Sequence, residues 1–191
     1  MVARTIVKDL LDGNERYTTG GALHPNQSFD YRIKLVNGQK PKAAILTCAD
    51  SRVSPEIIFD QGLGDLFVLR VAGNVVNDMF LGSLEYAVEH LNVTLIMVLG
   101  HSNCGADDNT FKGGNPPGHI NSLVQSKKPA LDKLTQQAPD WINAVSKENV
   151  KSVVEKLKTE GPILNTRFEE GDIDIVGAFY DLKSGKVNLI A

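Results

Sequence analysis

The sequence predicts a single α/β domain with a central, mainly parallel β-sheet flanked by helices and a C-terminal strand of differing direction. Short apolar runs alternate with stretches of helical periodicity, which is typical of a parallel sheet covered on both faces. The 191 residues are 42% hydrophobic, enough for one buried core. Two apolar runs flank Lys183-Ser184-Gly185 near the C-terminus and predict a closing hairpin.

The strands are expected where apolar residues form short continuous runs or alternate. Three such runs lie in the first half of the chain and two form the hairpin: Ala43–Thr47, Leu66–Val71, Thr94–Leu99, Ile173–Tyr180 and Val187–Ile190.

The helices are expected between these runs. A first, amphipathic helix would follow a Thr5 cap, because five residues of one face recur at helical spacing: Ile6, Leu10, Leu11, Asn14 and Tyr17. Residues 20–39 predict a loop or short helix, and Ser54-Pro55-Glu56 is typical of a helix start. Three more helices are predicted: Asp78–Leu91, Ile120–Leu134 and Lys147–Thr159. The compact Thr110–Gly118 segment and the region around Pro139 are predicted to connect them.

Charge and hydropathy exclude several classes of partner. The net charge of −3 and the lack of a basic cluster argue against nucleic acid or an anionic membrane surface as the main partner. No run approaches the roughly 20 apolar residues that span a bilayer. The N-terminus lacks the apolar centre of a signal peptide, so a cytoplasmic protein is predicted.

A metal site is predicted from Cys48, His101 and Cys104. Cys48 and His101 each follow a predicted strand, and ligands of open α/β sheets bind beyond the carboxyl ends of strands. His101 and Cys104 form a His-x-x-Cys pair on a short turn. Three protein ligands with an open fourth position are the pattern of a catalytic zinc site. The alternatives are a hydrogen-bonded loop histidine beside a buried cysteine, or a Cys48–Cys104 redox pair that leaves His101 without a role.

The turn after Cys48 carries a second pair of interest. Asp50 and Arg52 are two residues apart, close enough for a charge-assisted hydrogen bond. Arginine lowers the pKa of a neighbouring carboxyl and fixes its rotamer, which leaves an oxygen free to accept another hydrogen bond. A plain surface ion pair is the alternative; beside a metal thiolate we favour a functional pair.

These residues belong to motifs that resemble those of the β-class carbonic anhydrases, with plant-type features. The run CADSRVSPEIIFDQGLGDLFVLRVAGNVV, followed by GHSNCGA, contains C-x-D-S-R and H-x-x-C-G. GQKPKA, EYAVEHL and IVGAFYDLKSGKV extend the resemblance over most of the chain from Gln39 onward. It implies an N-terminal helical arm at 1–38 and a zinc-binding α/β core at 39–191, within one domain. It also implies a homodimer or a tetramer, with the N-terminal helix packed on the partner subunit.

The resemblance implies reversible hydration of carbon dioxide to bicarbonate by a zinc-bound hydroxide. One Zn²⁺ per chain would be held by Cys48, His101 and Cys104. Asp50, held by Arg52, would orient the hydroxide for attack. The substrate pair is therefore expected to be carbon dioxide and bicarbonate.

The resemblance also implies a substrate pocket. Gln39 would hydrogen-bond bicarbonate, the amide of Gly105 would contact the bound anion, and Phe67 and Tyr86 would line an apolar pocket for carbon dioxide. His90 matches a proton-relay position. For Phe67 and Tyr86 the alternative is an ordinary core role, and for His90 an exposed position without function. Val71 departs from the asparagine that the family often has there, so any polar contact of that residue is absent.

Two other functions could use the same ligand set. A relative that hydrolyses carbon disulfide or carbonyl sulfide would look identical at the metal. A non-catalytic, zinc-stabilised assembly protein would close the metal shell and would not need Asp50 and Arg52. Some β-class members shut off at lower pH when bicarbonate binds beside a tryptophan three residues before the first zinc cysteine. Ile45 occupies that position, which predicts no such switch and an Asp50 paired with Arg52.

Overall fold

A computed structural model describes residues 2–112, 116–134 and 140–191 as one α/β domain. Its strands are β1 (Ala43–Thr47), β2 (Leu66–Arg70), β3 (Leu95–His101), β4 (Asp174–Tyr180) and β5 (Val187–Leu189). They form one sheet in the order β2-β1-β3-β4-β5. Every neighbouring pair is parallel except β4 and β5, which are antiparallel. The predicted fold class, including the differing direction of the last strand, is confirmed.

Helices cover the sheet: α1 (Val2–Thr19), α2 (Phe29–Lys34), α3 (Pro55–Ile58), α4 (Asp78–Leu91), α5 (Gly105–Lys112), α6 (Ile120–Asp132), α7 (Trp141–Thr159) and α8 (Pro162–Glu169). Short 3₁₀ turns occupy Leu35–Asn37 and Ala72–Asn74. Among the described residues, no helix combines the length and the apolar character needed to cross a bilayer.

Several predicted boundaries were wrong. The first helix begins at Val2, so Thr5 lies inside it and is not its cap. Residues 110–112 of the predicted Thr110–Gly118 loop belong to α5, 113–115 lie outside the described residues, and so does Pro139. The helix predicted from Lys147 begins at Trp141. Neither α5 nor α8 was predicted, because their short segments show little apolar periodicity.

The core has two layers because both faces of the central strands are buried. On β1, Ala44 and Leu46 pack in a cluster with residues of α4, α7 and α8. Ala43 and Ile45 point to the opposite face and pack with residues of α1 and α3. Burial on both faces explains why β1 and β3 are continuous apolar runs.

The central strand pairing sets the position of the site. In the parallel register of β1 with β3, Thr47 lies opposite Leu99, and the Thr47 hydroxyl donates a hydrogen bond to the Leu99 carbonyl (2.8 Å). Cys48 follows directly after β1, and His101 is the last residue of β3. The carboxyl ends of two neighbouring parallel strands therefore bring these side chains to the same edge of the sheet.

Candidate metal centre

Cys48, His101 and Cys104 come together at this edge. Their ligand atoms all lie within 4.8 Å of one another, and the two sulfurs are 4.0 Å apart. All three side chains are buried. Two thiols and an imidazole at this spacing form a donor set that suits Zn²⁺, with room in a tetrahedral shell for a fourth ligand.

The imidazole of His101 is oriented by its own turn. Its Nδ1 lies 2.9 Å from the carbonyl oxygen of Ser102, and because a carbonyl only accepts, Nδ1 carries the proton. The hydroxyl of Ser146 on α7 donates to the His101 carbonyl (3.0 Å). Nε2 is buried and has no hydrogen-bond partner among the described residues. This tautomer leaves the Nε2 lone pair available for a metal ion.

The two thiols share an environment that favours a single proton between them. Hydrogen bonds from the Cys104 thiol and from the backbone amides of Gly73 (3.2 Å) and Asp50 (3.4 Å) hold the pKa of Cys48 well below its usual range. The hydrogen bond to Cys48 and burial raise the pKa of Cys104. A divalent cation between the sulfurs would replace the shared proton, because it binds thiolates and not thiols.

Asp50 and Arg52 form the predicted pair beside these ligands. Arg52 donates to one carboxylate oxygen of Asp50 from its backbone amide and from Nε, both at 2.9 Å, and to the other from Nη2 at 2.6 Å. That second oxygen lies 3.9 Å from His101 Nε2. The side chain of Arg52 holds the pKa of Asp50 at about 2, so the carboxylate is ionised at neutral pH. Arg52 also reaches the carbonyl of Asn103 (3.4 Å) and so links the two ligand-bearing turns.

Two further residues support the site and were not predicted from the sequence. Arg70, at the end of β2, donates to the carbonyls of Cys48 (3.1 Å) and Asp50 (2.6 Å). Asn149, on α7, donates to the carbonyl of Gly73 (3.2 Å). Arg70 could have been noticed in the sequence, because it is a charged residue at the end of a largely apolar strand. The second depends on a contact across 76 residues that no local pattern shows.

Comparison with known proteins agrees with this geometry. Residues 43–187 match the profile of the family described as carbonic anhydrase. The chain is 42% identical over 186 residues to carbonic anhydrase 2 of Mycobacterium tuberculosis, covering 95% of this chain and 90% of that protein. This chain belongs to the β-carbonic anhydrase family.

Solved structures of the β-carbonic anhydrase family have the same fold. The β-carbonic anhydrase CcaA superposes with a TM-score of 0.78 at 27% identity, over 97% of this chain and 95% of that one. One of two tetrameric β-carbonic anhydrases from Sordaria macrospora gives a TM-score of 0.77 at 25% identity, over 95% and 94%.

The family resemblance assigns roles to five further residues, of which only Gly105 adjoins a candidate ligand, since it directly follows Cys104. Phe67 on β2 and Tyr86 and His90 on α4 form a row, with ring centroids 6.4 Å and then 5.0 Å apart. Gln39 is exposed before β1, and Gly105 is the exposed first residue of α5. Within the described part of the chain, no hydrogen bond or ring contact joins Gln39 or this aromatic row to the metal ligands. The family roles of these five residues stay predictions.

We expect one zinc ion per chain, and we expect Cys48→Ala, His101→Ala and Cys104→Ala each to lower the bound zinc, because each removes one of three converging donors. Zinc can be measured by elemental analysis after dialysis. The exposed His119 provides the matched control: His119→Ala should retain zinc. Full zinc content in Cys104→Ala would contradict the ligand set.

Proposed function

We propose that the protein catalyses the zinc-dependent, reversible hydration of carbon dioxide to bicarbonate and a proton. The observation that supports this most directly is the meeting of Cys48, His101 and Cys104 within 4.8 Å, with an Asp50 oxygen 3.9 Å from His101 Nε2. An open ligand set with an ionised carboxylate at its margin is suited to activating water. When bound, zinc would supply acidification of a water molecule and so a nucleophile near neutral pH.

In this proposal Asp50 orients the nucleophile. As a carboxylate it only accepts hydrogen bonds, so it would accept from the attacking water and direct a lone pair toward the substrate. Arg52 donates hydrogen bonds to both carboxylate oxygens and so fixes the rotamer of Asp50. Asp50 would then be oriented before the reaction begins and would not have to move during it. Because the pKa of Asp50 is held at about 2, its carboxylate is a weak base at neutral pH, and in this proposal the product proton leaves by another route.

The remaining predicted residues would complete the pocket. Gln39 and the amide of Gly105 would bind the bicarbonate oxygens, and Phe67 and Tyr86 would provide apolar surface for carbon dioxide. His90 contacts Tyr86 and is a candidate proton relay. Gln39, Tyr86, His90 and Gly105 are exposed in the single chain, so such a pocket would need a second subunit to close it.

Two alternatives remain distinct from this proposal. A hydrolase of carbon disulfide or carbonyl sulfide would use the same residues, and release of hydrogen sulfide would identify it. A zinc-stabilised assembly protein would need no ionised carboxylate at the metal. Three hydrogen bonds hold Asp50 beside His101 Nε2, which has no hydrogen-bond partner among the described residues, and this arrangement favours an enzyme.

We also propose that the chain forms a homodimer or a tetramer. The family members from Sordaria macrospora are tetrameric. The N-terminal helix buries Ala3 and Leu10 against this chain's own sheet. The segment after it instead exposes four large apolar side chains that a partner could cover: Leu23, Phe29, Ile33 and Val36. The division into an arm at 1–38 and a core at 39–191, and the cytoplasmic location, stay predictions.

Stopped-flow measurement of carbon dioxide hydration tests the function. Wild-type protein loaded with zinc should hydrate carbon dioxide, and Asp50→Asn should lower turnover roughly 100-fold or more, in line with the loss of a group that orients the nucleophile. Zinc content should stay near that of the wild type, because Asp50 is not a ligand. Asp132→Asn changes an exposed carboxylate and serves as control. Unimpaired hydration by Asp50→Asn would show that the pair is structural, and hydrogen sulfide release without hydration would favour the sulfur substrates.

The pH profile tests the predicted absence of a bicarbonate-gated switch. The pKa of Asp50 is lowered from 3.8 to about 2, so its interaction with Arg52 is complete above about pH 4 and is lost only as the pH falls toward 2. The pair is therefore intact from pH 6.5 to 9, and we expect no cooperative loss of hydration activity in that range, with or without added bicarbonate. Activity should rise smoothly with pH, because zinc would supply the nucleophile in its deprotonated form. A steep, cooperative loss below pH 8 that bicarbonate deepens would contradict the prediction.

Light scattering tests the assembly. We expect a dimer or tetramer at micromolar concentration, because the exposed apolar side chains after α1 need a partner surface. Phe29→Ser combined with Val36→Ser should shift the mass toward the monomer, whereas Lys151→Ser on the exposed side of α7 should not. A wild-type monomer with full hydration activity would refute the proposal.

A further inference from the structure

A buried ion pair lies behind the metal ligands. Lys127 on α6 and Asp107 on α5 form a salt bridge, and both side chains are fully buried. Asp107 is three residues after Cys104, and its backbone amide donates to the Cys104 carbonyl (3.1 Å). The carboxylate that receives the lysine therefore belongs to the helical turn that carries one of the two thiols.

The same lysine also contacts the turn that supports the other thiol. A Cβ atom placed on Gly73 would lie 3.0 Å from Lys127 Nζ and 2.9 Å from the Ala106 Cβ. Gly73 has a φ of 75° and donates its amide hydrogen to Cys48 Sγ (3.2 Å). Lys127 thus fills the space between the Gly73 turn and the first turn of α5.

Stability alone is a poor reason for this pair. Burying two charges costs hydration free energy that their mutual attraction does not fully offset. Apolar residues of similar volume often stabilise a fold equally well. The second Asp107 oxygen, also buried, has no hydrogen-bond partner in the described part of the chain, so the pair is not fully satisfied. What the pair does provide is a fixed link between two turns whose separation sets the distance between the sulfurs.

We propose that Lys127 is a positioning residue for the metal centre: anchored by Asp107, it holds the Cys104 turn and the Gly73–Cys48 turn at the separation that zinc requires. The inference rests on the proposed metal site. It assigns Lys127 no contact with metal or substrate, only the placement of the groups that make those contacts. Residues that orient metal ligands typically change metal affinity by about 10- to 100-fold when replaced.

Zinc affinity, measured by competition with a chromogenic chelator, tests the inference in three variants of the full chain. Lys127→Met removes the ammonium group and its salt bridge but leaves the Asp107 carboxylate buried and unpaired. Lys127→Met with Asp107→Asn removes both charges at similar volume, and such neutral replacements usually preserve folding. Leu164→Ala, at a fully buried position on α8, is the control for general loss of stability, and thermal unfolding of the zinc-free proteins measures that loss.

Both Lys127 variants should bind zinc about 10- to 100-fold more weakly than the wild type. Their Co²⁺ forms should show a shifted sulfur-to-cobalt charge-transfer band. Leu164→Ala should keep the wild-type affinity and band despite a lower unfolding temperature. Wild-type affinity and an unshifted band in the double variant would overturn the inference, as would an equal affinity loss in Leu164→Ala. A wild-type protein that binds no zinc would overturn the proposed metal site and this inference with it.

Discussion

The parallel pairing of β1 with β3 is the constraint on which the rest of the structure depends. Cys48 and His101 are 53 residues apart in the chain, yet each stands at the carboxyl end of one of these two strands. The strands are adjacent, buried on both faces and in a register that the Thr47–Leu99 hydrogen bond supports. Cys104 is three residues after His101, so the turn that follows β3 brings it to the same edge of the sheet. A one-residue slip of β1 would reverse its faces and move Cys48 away from the imidazole.

A buried cluster of two thiols and an imidazole is unfavourable unless its polar atoms have partners. Most of those partners are backbone groups of neighbouring turns: the amides of Gly73 and Asp50 for one sulfur, and the Ser102 carbonyl for the imidazole. Backbone donors cannot rotate away, so the ligand atoms are oriented before any metal arrives. Among the described residues His101 Nε2 has no hydrogen-bond partner, and a cation bound between the three side chains would satisfy it.

The sequence was sufficient for the central strands, the hairpin and α4, because continuous apolar runs and a strong helical period are local signals. The ligands and the Asp50–Arg52 pair were equally visible, since strand ends and short spacings place them. The parts that could not be predicted have non-local causes. The burial of Lys127 depends on Asp107 twenty residues away, and a lysine in a helix ordinarily indicates a solvated face. Helix α7 also begins earlier than predicted, at Trp141, and the helix as a whole packs on β3 and β4.

The hydrogen bonds around Asp50 support the prediction that its carboxylate stays beside the candidate metal site and does not become a ligand. To reach the ligand atoms it would have to leave three donors of Arg52, and these bonds fix both oxygens. The backbone is held as well, since Arg70 binds the carbonyls on either side of Ala49. A bound anion could compensate for such a rearrangement only by offering new contacts of equal strength. At Ile45, a fully buried aliphatic side chain on the far face of β1, the chain offers no donor to help hold that anion. Movement of the Asp50 carboxylate away from Arg52 would therefore break three hydrogen bonds, and the Ile45 side chain could not help an incoming anion to compensate for them.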